Sequence, residues 1–249
     1  MKRDRTASNL AIGHLGPRDM PAQRFRAVNV PPNTELLWGL EQQEIDSILK
    51  AARPRRFSAK SVIKHQGEPA DQLFLLWERR ARDFFETHNG KKLNLEWITP
   101  GEVIGGAALV SRPSRYLVSS EAVLDSTVLV WDGPTIRGLI RRYHQVLENA
   151  LFLALDGFSW YVATHAALTS QTARERLAHI LSVCTSSIGH KIDGGIEIDV
   201  TNEELAQAAN ITPYTASRII NEWQRIGAIR KERGKILLRS GKGLFLRVA

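Results

Sequence analysis

The clearest alternation of apolar and polar positions in this chain lies within residues 201–225. Apolar side chains recur there every three or four residues on two successive segments, as they do on helices that bury one face. They are Leu205, Ala206 and Ala209 in the first segment and Ala216, Ile219, Ile220 and Trp223 in the second. The pattern predicts two short helices that pack on a common core.

Polar residues mark the ends of both predicted helices. Thr201 and Glu204 form the capping-box pattern, in which a hydroxyl and a carboxylate three residues apart satisfy backbone N–H groups at a helix start. Asn210 tolerates the left-handed backbone of a tight turn. Thr212-Pro213 predicts a second start, because a hydroxyl caps a helix and proline suits its first position. The segment is therefore predicted to be a helix-turn-helix.

The second predicted helix points polar groups away from the core. Tyr214, Ser217, Arg218 and Asn221 can donate to and accept from base edges and phosphates in a DNA major groove. A solvated helix face carries similar residues, but a predicted β-hairpin with a basic tip follows directly over residues 228–239. A helix-turn-helix followed by a basic hairpin is a winged helix.

This winged helix resembles the C-terminal domain of the cyclic-AMP receptor protein / fumarate-nitrate regulator (Crp/Fnr) family of bacterial transcription factors. Family members carry a recognition-helix core of the form Arg-Glu-Thr-x-Ser/Gly-Arg, and this chain has Pro-Tyr-Thr-Ala-Ser-Arg at residues 213–218. Pro-Tyr replaces Arg-Glu, so the family's usual half-site is not implied. The resemblance implies that double-stranded DNA is a partner. The predicted contacts are Thr212, Pro213, Tyr214, Thr215, Ser217, Arg218, Asn221, Lys231, Arg233 and Lys235.

Residues 56–132 change character, with short runs of β-branched and aromatic residues between turns that contain Gly, Pro, Asn or Asp. The predicted strands are 61–65, 72–77, 81–87, 92–98, 115–123 and 127–132. Asn89-Gly90 predicts a hairpin turn, because both residues accept positive φ. This spacing is typical of a β-sandwich or barrel. The family resemblance implies a double-stranded β-roll (jelly roll), similar to the cyclic-nucleotide-binding fold, and an amphipathic helix is predicted before it at 34–52.

The same resemblance identifies a candidate effector site in the segment that holds a cyclic phosphate in family members. It comprises Gly105, Gly106, Ala107, Arg112, Ser114 and Arg115. Gly106 stands where the family has a glutamate for the ribose, and the family's Arg-Ser pair is inverted to Ser114-Arg115. A guanidinium can still meet a phosphate from there. Three alternatives stay open: a non-nucleotide effector, a roll without a ligand, and a cyclic nucleotide held by a rearranged cassette. We expect no response to cyclic AMP.

A long helix is predicted over residues 144–168, after a shorter one over 135–142. Its apolar stripe consists of Leu147, Leu151, Ala154, Phe158, Val162 and His165. The family packs this helix against its twofold mate, so the resemblance implies that the stripe is a dimer interface. The alternative is an ordinary amphipathic helix that covers the roll. A further helix is predicted at 173–187, with Cys184 as a buried apolar residue, and a short strand at 196–200.

Composition narrows the classes of function. A net charge of +8 on 249 residues favours a polyanionic partner. One cysteine and seven scattered histidines show no pair at metal-ligand spacing, so neither a metal nor a cofactor is expected. No apolar run reaches the length of a signal peptide or membrane helix, and we expect a cytoplasmic protein without membrane contact. An enzyme is disfavoured because no catalytic motif is present. An RNA-binding module is also disfavoured. It would need stacking aromatics on an exposed sheet, and most aromatic residues here are predicted to face inward.

The predicted fold class is therefore α+β: a β-roll, a long dimerisation helix and a C-terminal winged helix-turn-helix. The predicted domains are a mobile N-terminal arm (1–25), the sensor roll (26–142), the dimerisation helix (143–170) and the DNA-binding domain (171–249). The predicted function is that of a homodimeric, sequence-specific transcription regulator, with RNA polymerase as a further partner if it is an activator. The alternative within that class is a regulator whose roll has lost its effector.

Overall fold

The computed structural model describes residues 30–31, 34–232, 234–239 and 244. The arm predicted over 1–25 lies outside the described residues. Short helices, a β-rich unit, a long helix and a mixed C-terminal unit follow one another along the chain, which confirms the predicted α+β class. Apolar side chains of the described residues gather in three clusters, two in the N-terminal half and one in the C-terminal part.

The described fold begins with a 3-10 turn at Glu35–Leu37 and helix α1 at Gln42–Lys50. The sequence pattern predicted one helix over 34–52, and this is wrong, because a turn separates the two pieces. Gly39 lies in that turn with a φ of 75°, a left-handed conformation that glycine adopts without strain. Both pieces pack their apolar side chains under the first sheet of the roll.

Eight strands between residues 53 and 132 form the β-roll. Their bounds are β1 Arg53–Phe57, β2 Val62–Lys64, β3 Gln72–Glu78, β4 Ala81–Glu86, β5 Lys92–Ile98, β6 Val103–Ile104, β7 Ser119–Ala122 and β8 Ser126–Asp132. They pair antiparallel in two sheets of order β1-β8-β3-β6 and β2-β7-β4-β5. The inner faces share a core that includes Phe74, Ala81, Ile98 and Val128. The predicted roll is confirmed.

Three strands of the roll differ from the prediction. The strand predicted at 115–123 starts only at Ser119, because the preceding residues bond to a loop instead. The Tyr116 N–H donates to the Glu68 carbonyl at 3.0 Å, and the Tyr116 hydroxyl donates to the Gln72 carbonyl at 2.7 Å. Strand β1 was not predicted, since its Arg-Pro-Arg-Arg run is exposed and shows no apolar alternation. Strand β6 was also missed, because it has only two residues.

Two helices follow the roll. Helix α2 spans Gly133–Arg142 and is capped by the Asp132 carboxylate. Helix α3 spans His144–Ser170, which confirms the predicted long helix. Helix α3 packs against α2 and the 3-10 turn, where the Asn149 amide donates to the backbone carbonyls of Leu36 and Trp38 at 3.0 and 2.8 Å. No helix within the described ranges is both long and apolar enough to cross a membrane.

The C-terminal unit combines three helices with a four-stranded antiparallel sheet of order β11-β12-β10-β9. The bounds are α4 Ala173–Ser187, β9 Gly189–Ile192, β10 Gly195–Ile198, α5 Asn202–Ala208, α6 Pro213–Arg225, β11 Ile229–Glu232 and β12 Lys235–Leu238. The predicted winged helix is confirmed. The predicted strand 196–200 corresponds to β10, and its partner β9 was missed because its Gly-His-Lys-Ile run is largely exposed.

Trp223 and Cys184 lie in the core of this unit, and both are 0% exposed. The indole N–H of Trp223 donates to the Leu244 carbonyl at 3.0 Å, which attaches the end of the described chain to the core. Burial raises the pKa of Cys184 to about 12. The thiol is therefore a buried apolar group, as the sequence predicted.

The roll and the winged helix touch through the sheet that contains β4 and β5. Trp97 of β5 is buried in the apolar cluster of the C-terminal unit. Arg82 of β4 lies 3.7 Å from the Glu204 carboxylate on α5. Arg80, just before β4, donates to the Asp199 carbonyl at 2.8 Å. The outer face of this sheet is therefore the contact surface between the two units.

The turn between α5 and α6 is held by a side chain that the sequence pattern did not identify. Asn210 adopts a φ of 49°, as predicted. The guanidinium of Arg176 on α4 donates to the carbonyls of Ala209 at 2.9 Å, Asn210 at 3.3 Å and Gln171 at 3.1 Å. Carbonyls at helix ends lack helical partners, so Arg176 supplies the donors that this turn needs.

We expect Arg176→Met to destabilise the winged helix, because three carbonyls lose a charged donor. A hydrogen bond to a charged group contributes about 1.5–3 kcal/mol, so the free energy of unfolding should fall by about 2 kcal/mol in urea denaturation followed by tryptophan fluorescence. Arg225→Met is the matched control, because Arg225 is exposed at the end of α6. It should change the free energy by less than about 0.5 kcal/mol. Equal effects of the two substitutions would contradict this role for Arg176.

Candidate functional site

Helix α6 has one buried face and one solvent-facing face, as its periodicity predicted. The buried side chains are Ala216, Ile219, Ile220 and Trp223. The side chains on the other face are Tyr214, Arg218 and Asn221, which are exposed, and Ser217, which is partly exposed. Packing therefore fixes which residues of α6 can meet a partner.

The N-terminal end of α6 is fixed by its own first residues. The Thr212 hydroxyl accepts from the Thr215 N–H at 3.1 Å and lies 2.9 Å from the Thr215 hydroxyl. Pro213 occupies the first turn. Two of the predicted contact residues therefore use their hydroxyls within the helix start. Tyr214 beside them is 80% exposed and projects outward.

Arg218 belongs to a charged network. Its Nη1 lies 3.2 Å from Oε1 of Glu222, whose Oε2 lies 2.7 Å from Nη1 of Arg174 at the start of α4. The Arg174 guanidinium in turn lies over the Trp223 ring, 5.4 Å from its centroid, within the range of a cation–π contact. Two side chains thus connect Arg218 to the core of the unit.

The hairpin of β11 and β12, here called the wing, carries the remaining predicted DNA contacts. Lys231 is exposed on β11. Lys235 has its Nζ 2.7 Å from the Glu197 carboxylate and 3.5 Å from that of Asp199, and the hydrogen bond to Glu197 raises the pKa of Lys235. Arg233 lies outside the described residues. Lys235 therefore shares its charge with carboxylates of its own unit, whereas Lys231 projects into solvent.

The candidate effector segment forms a 3-10 turn at Gly106–Leu109. Gly105 precedes it with a φ of 81°, and a Cβ there would lie 3.0 Å from the Tyr116 ring. Glycine is therefore required at 105 by both backbone and space. A Cβ at Gly106 would meet no atom within 4 Å. Position 106 thus has room for the family's glutamate but carries no carboxylate.

The polar side chains of the predicted cassette bond within their own loop. Ser114 donates to the Ala107 carbonyl at 2.9 Å, and Nη1 of Arg115 donates to the Gly67 carbonyl at 2.5 Å. Arg112 is exposed. Ser114 and Arg115 therefore already have acceptors in the roll.

A row of polar side chains crosses the inner face of the second sheet. Lys64, Ser120, Asp83 and Glu96 occupy opposite positions on β2, β7, β4 and β5. Side chains two residues apart on a strand share a face. Ala81, two residues before Asp83, lies in the core of the roll, so the row faces the interior.

Carboxyl groups dominate this row. The Ser120 hydroxyl donates to the Asp83 carboxylate, and Lys64 Nζ lies 3.8 Å from the same carboxylate. Desolvation, with smaller contributions from the Asp83 and Glu102 carboxylates, raises the pKa of Glu96 to about 8. Desolvation also raises the pKa of Asp83. An anion placed against this face would compete with Asp83 for Lys64, the cation of the row.

The face of α3 that points away from the roll carries the predicted dimer stripe. The stripe residues, all exposed, are Leu147, Leu151, Ala154, Phe158, Val162 and His165. The Phe158 side chain is 66% exposed. Leu155 and Tyr161, which are also exposed, extend the apolar surface beside the stripe. Large contiguous apolar patches on a soluble protein mark interaction sites. Val146, Asn149 and Ala167, on the opposite side of the helix, are buried.

Two family models match the chain. A cyclic nucleotide-binding domain matches residues 54–143, and a Crp-like helix-turn-helix domain matches residues 175–245. The chain is 26% identical to the cyclic AMP receptor protein of Thermus thermophilus, over 82% of this chain and 92% of the relative. It is 27% identical to the transcriptional regulator SdrP of the same organism, over 76% and 90% respectively. The chain belongs to the Crp/Fnr family of transcription regulators.

A solved structure shares the fold of this chain. The chain matches the c-di-GMP-responsive global regulator CLP of Xanthomonas campestris with a TM-score of 0.70 at 15% identity, over 80% of this chain and 100% of that chain. At this identity the likeness shows the fold alone. The resemblance drawn from residues 213–218 and from the β-rich pattern is confirmed.

The sequence analysis of this Crp/Fnr-family chain did not identify the charged residues around α6 and the α5–α6 turn. Glu222 carried a signal, because it follows Arg218 by four residues, the helical spacing at which opposite charges meet. Arg174 and Arg176 carried none, since their partners lie on α6 and in the α5–α6 turn. Only folding brings α4 beside these elements.

Proposed function

We propose that this chain is a homodimeric, sequence-specific DNA-binding regulator whose β-roll controls its winged helix. The observation that carries the proposal is the solvent-facing side of α6, where Arg218 and Asn221 stand beside Tyr214 on a helix with a fully packed opposite face. A helix of this kind fits the major groove, where arginine contacts guanine and asparagine contacts adenine.

Neighbouring groups supply the sequence-independent part of such a contact. Thr212 and Thr215 lie at the helix start, Ser217 is partly exposed on α6, and Lys231 projects from the wing. Contacts of this kind to phosphates fix the register of a protein on the duplex. The net charge of +8 supports a polyanionic partner. RNA polymerase is a further partner if the protein activates transcription.

The exposed stripe of α3 supports a twofold dimer. A twofold contact buries the same surface on both copies, and apolar surface is driven out of water. The stripe runs along a helix whose buried residues, Val146, Asn149 and Ala167, lie on another face. A dimer built on it would present two α6 helices to DNA half-sites about 34 Å apart, one turn of the duplex.

The ligand of the roll is proposed to be something other than cyclic AMP. Gly106 offers no carboxylate for a ribose, Arg115 donates to the Gly67 carbonyl, and Lys64 lies beside Asp83. Similar proteins are named for different ligands, one as a cyclic AMP receptor protein and another as c-di-GMP responsive. Family membership therefore does not fix the ligand, and the residues of this chain argue against a cyclic phosphate.

A regulator without an effector is the second candidate. It is favoured by the cassette side chains Ser114 and Arg115, whose donors are already used inside the roll. In either case β5 provides a route between the units, because Glu96 faces the interior of the roll and Trp97 lies in the core of the winged helix. A change in packing at Glu96 would alter the winged-helix core through Trp97, the next residue on β5.

Arg218→Ala should lower affinity for a specific duplex more than for random DNA. The loss of a bidentate guanine contact costs about 1–3 kcal/mol of discrimination. Fluorescence anisotropy would compare a duplex selected from a randomised pool by the wild-type protein with an unselected duplex. Arg141→Ala, an exposed arginine on α2, is the control and should leave both affinities unchanged. Equal losses on both duplexes would reassign Arg218 to a phosphate contact, and no loss would remove it from the interface.

Phe158→Glu should dissociate the dimer and abolish site-specific binding, because a charge would be buried without a partner at the twofold contact. Sedimentation velocity measures the first effect and anisotropy the second. Leu117→Glu is the matched control, because Leu117 is 81% exposed and lies in a loop of the roll. An intact Phe158→Glu dimer would show that the axis lies elsewhere.

Specific DNA binding should occur without nucleotide and stay unchanged at millimolar cyclic AMP. A missing charge-assisted hydrogen bond of about 1.5–3 kcal/mol weakens a ligand roughly tenfold to a hundredfold. Calorimetric titration tests the affinity directly, and a micromolar dissociation constant would refute the expectation. Gly106→Glu restores the carboxylate in open space, so it should raise cyclic AMP affinity if that group is the missing determinant.

A further inference from the structure

The residue that follows Arg218 by one helical turn has no evident place in a DNA-binding surface. Glu222 is a carboxylate on the helix proposed to enter the groove, where phosphates would repel it. Its side chain is nevertheless only 20% exposed, against 59% for Arg218. Both of its oxygens are engaged, Oε1 by Arg218 at 3.2 Å and Oε2 by Arg174 at 2.7 Å. This geometry differs from that of a solvated surface pair.

The position of Glu222 is set by the core of the unit. Arg174 is also only 20% exposed, and its guanidinium lies 5.4 Å from the centroid of the Trp223 ring. Trp223 is fully buried. Oε2 of Glu222 is therefore held by Arg174, which packs on the buried Trp223 ring. Oε1 of Glu222 faces Arg218.

We propose that Glu222 is a positioning residue for base reading: with Arg174 beneath it, it holds the Arg218 guanidinium in the orientation used on DNA. The inference rests on the proposed function, since it takes Arg218 as the base-contacting residue. An arginine loses considerable side-chain freedom when it is fixed. A partner that fixes it before binding removes that cost from the specific complex.

The negative charge of Glu222 adds a second effect. A mobile arginine at the protein surface reaches phosphates of any sequence, which strengthens binding without discrimination. A carboxylate beside the guanidinium offsets its positive charge, so this part of α6 is attracted less strongly to the DNA phosphates. The Glu222 side chain would thus weaken binding to random DNA and favour the base contact, so it raises the ratio of specific to random affinity in both ways.

The test is Glu222→Gln, which keeps the size of the side chain and removes its charge. The expected result is a fall of about tenfold in the ratio of specific to random affinity, with affinity for random duplex equal or higher. Binding to random DNA and an unchanged circular-dichroism spectrum show that the variant is folded. Glu203→Gln is the matched control, because Glu203 is an exposed carboxylate on α5, and the ratio should not change.

A double substitution separates positioning from a general effect of charge. If Glu222 acts through Arg218, then Glu222→Gln has no further effect on the ratio in the Arg218→Ala background. Arg174→Met should lower the ratio in the wild-type background, because it releases the carboxylate. An equal rise of specific and random affinity in Glu222→Gln, or an unchanged ratio, would overturn the proposal. A ratio unaffected by Arg218→Ala itself would instead refute the role of Arg218 in base reading.

Discussion

The burial of Trp223 is the contact on which the geometry of the winged helix depends. Its ring lies in the cluster formed by α4, α5, α6 and the hairpin, and its N–H donates to the Leu244 carbonyl at 3.0 Å. This packing fixes the rotation of α6 about its own axis, and that rotation decides which side chains face solvent. Replacing such a ring by a small residue typically costs about 3–5 kcal/mol. Because Arg174 also lies on the ring, the exposed face of α6 and the core form one packing unit.

Strand β5 serves both units because neighbouring residues on a strand point to opposite faces. Glu96 lies beside Asp83 on the interior of the roll, while Trp97 is buried in the winged-helix core. A ligand shifts an equilibrium only by its differential affinity for the two states. The contact made by Trp97 and Arg82 with the winged helix is where such a difference could act.

Helix α3 divides its surface between the roll and solvent. Asn149 and Ala167 lie on the buried side, and Leu151 and Phe158 lie on the exposed side. The buried side is satisfied within one protomer by packing and by the amide bonds of Asn149. The exposed side gains nothing in an isolated copy, because apolar surface in water is unfavourable. In a dimer built on this side, α3 would set the distance between the two copies of α6.

The sequence by itself determined the features that depend on neighbours three or four residues apart. The caps at Thr201 and Thr212 and the left-handed turn at Asn210 are local hydrogen bonds and local backbone preferences, so they were predicted from the residues alone. The periods of the apolar pattern likewise predicted most of the strands of the roll, the long helix and the two faces of α6. Tertiary structure decided the division of the first helix, the late start of β7, the strands β1, β6 and β9, and the row of carboxyl groups in the roll. It also paired Arg174 with Glu222, which are separated by 48 positions in the chain. Pairings of this kind depend on which elements come to lie side by side, and a pattern read along the chain contains no record of that.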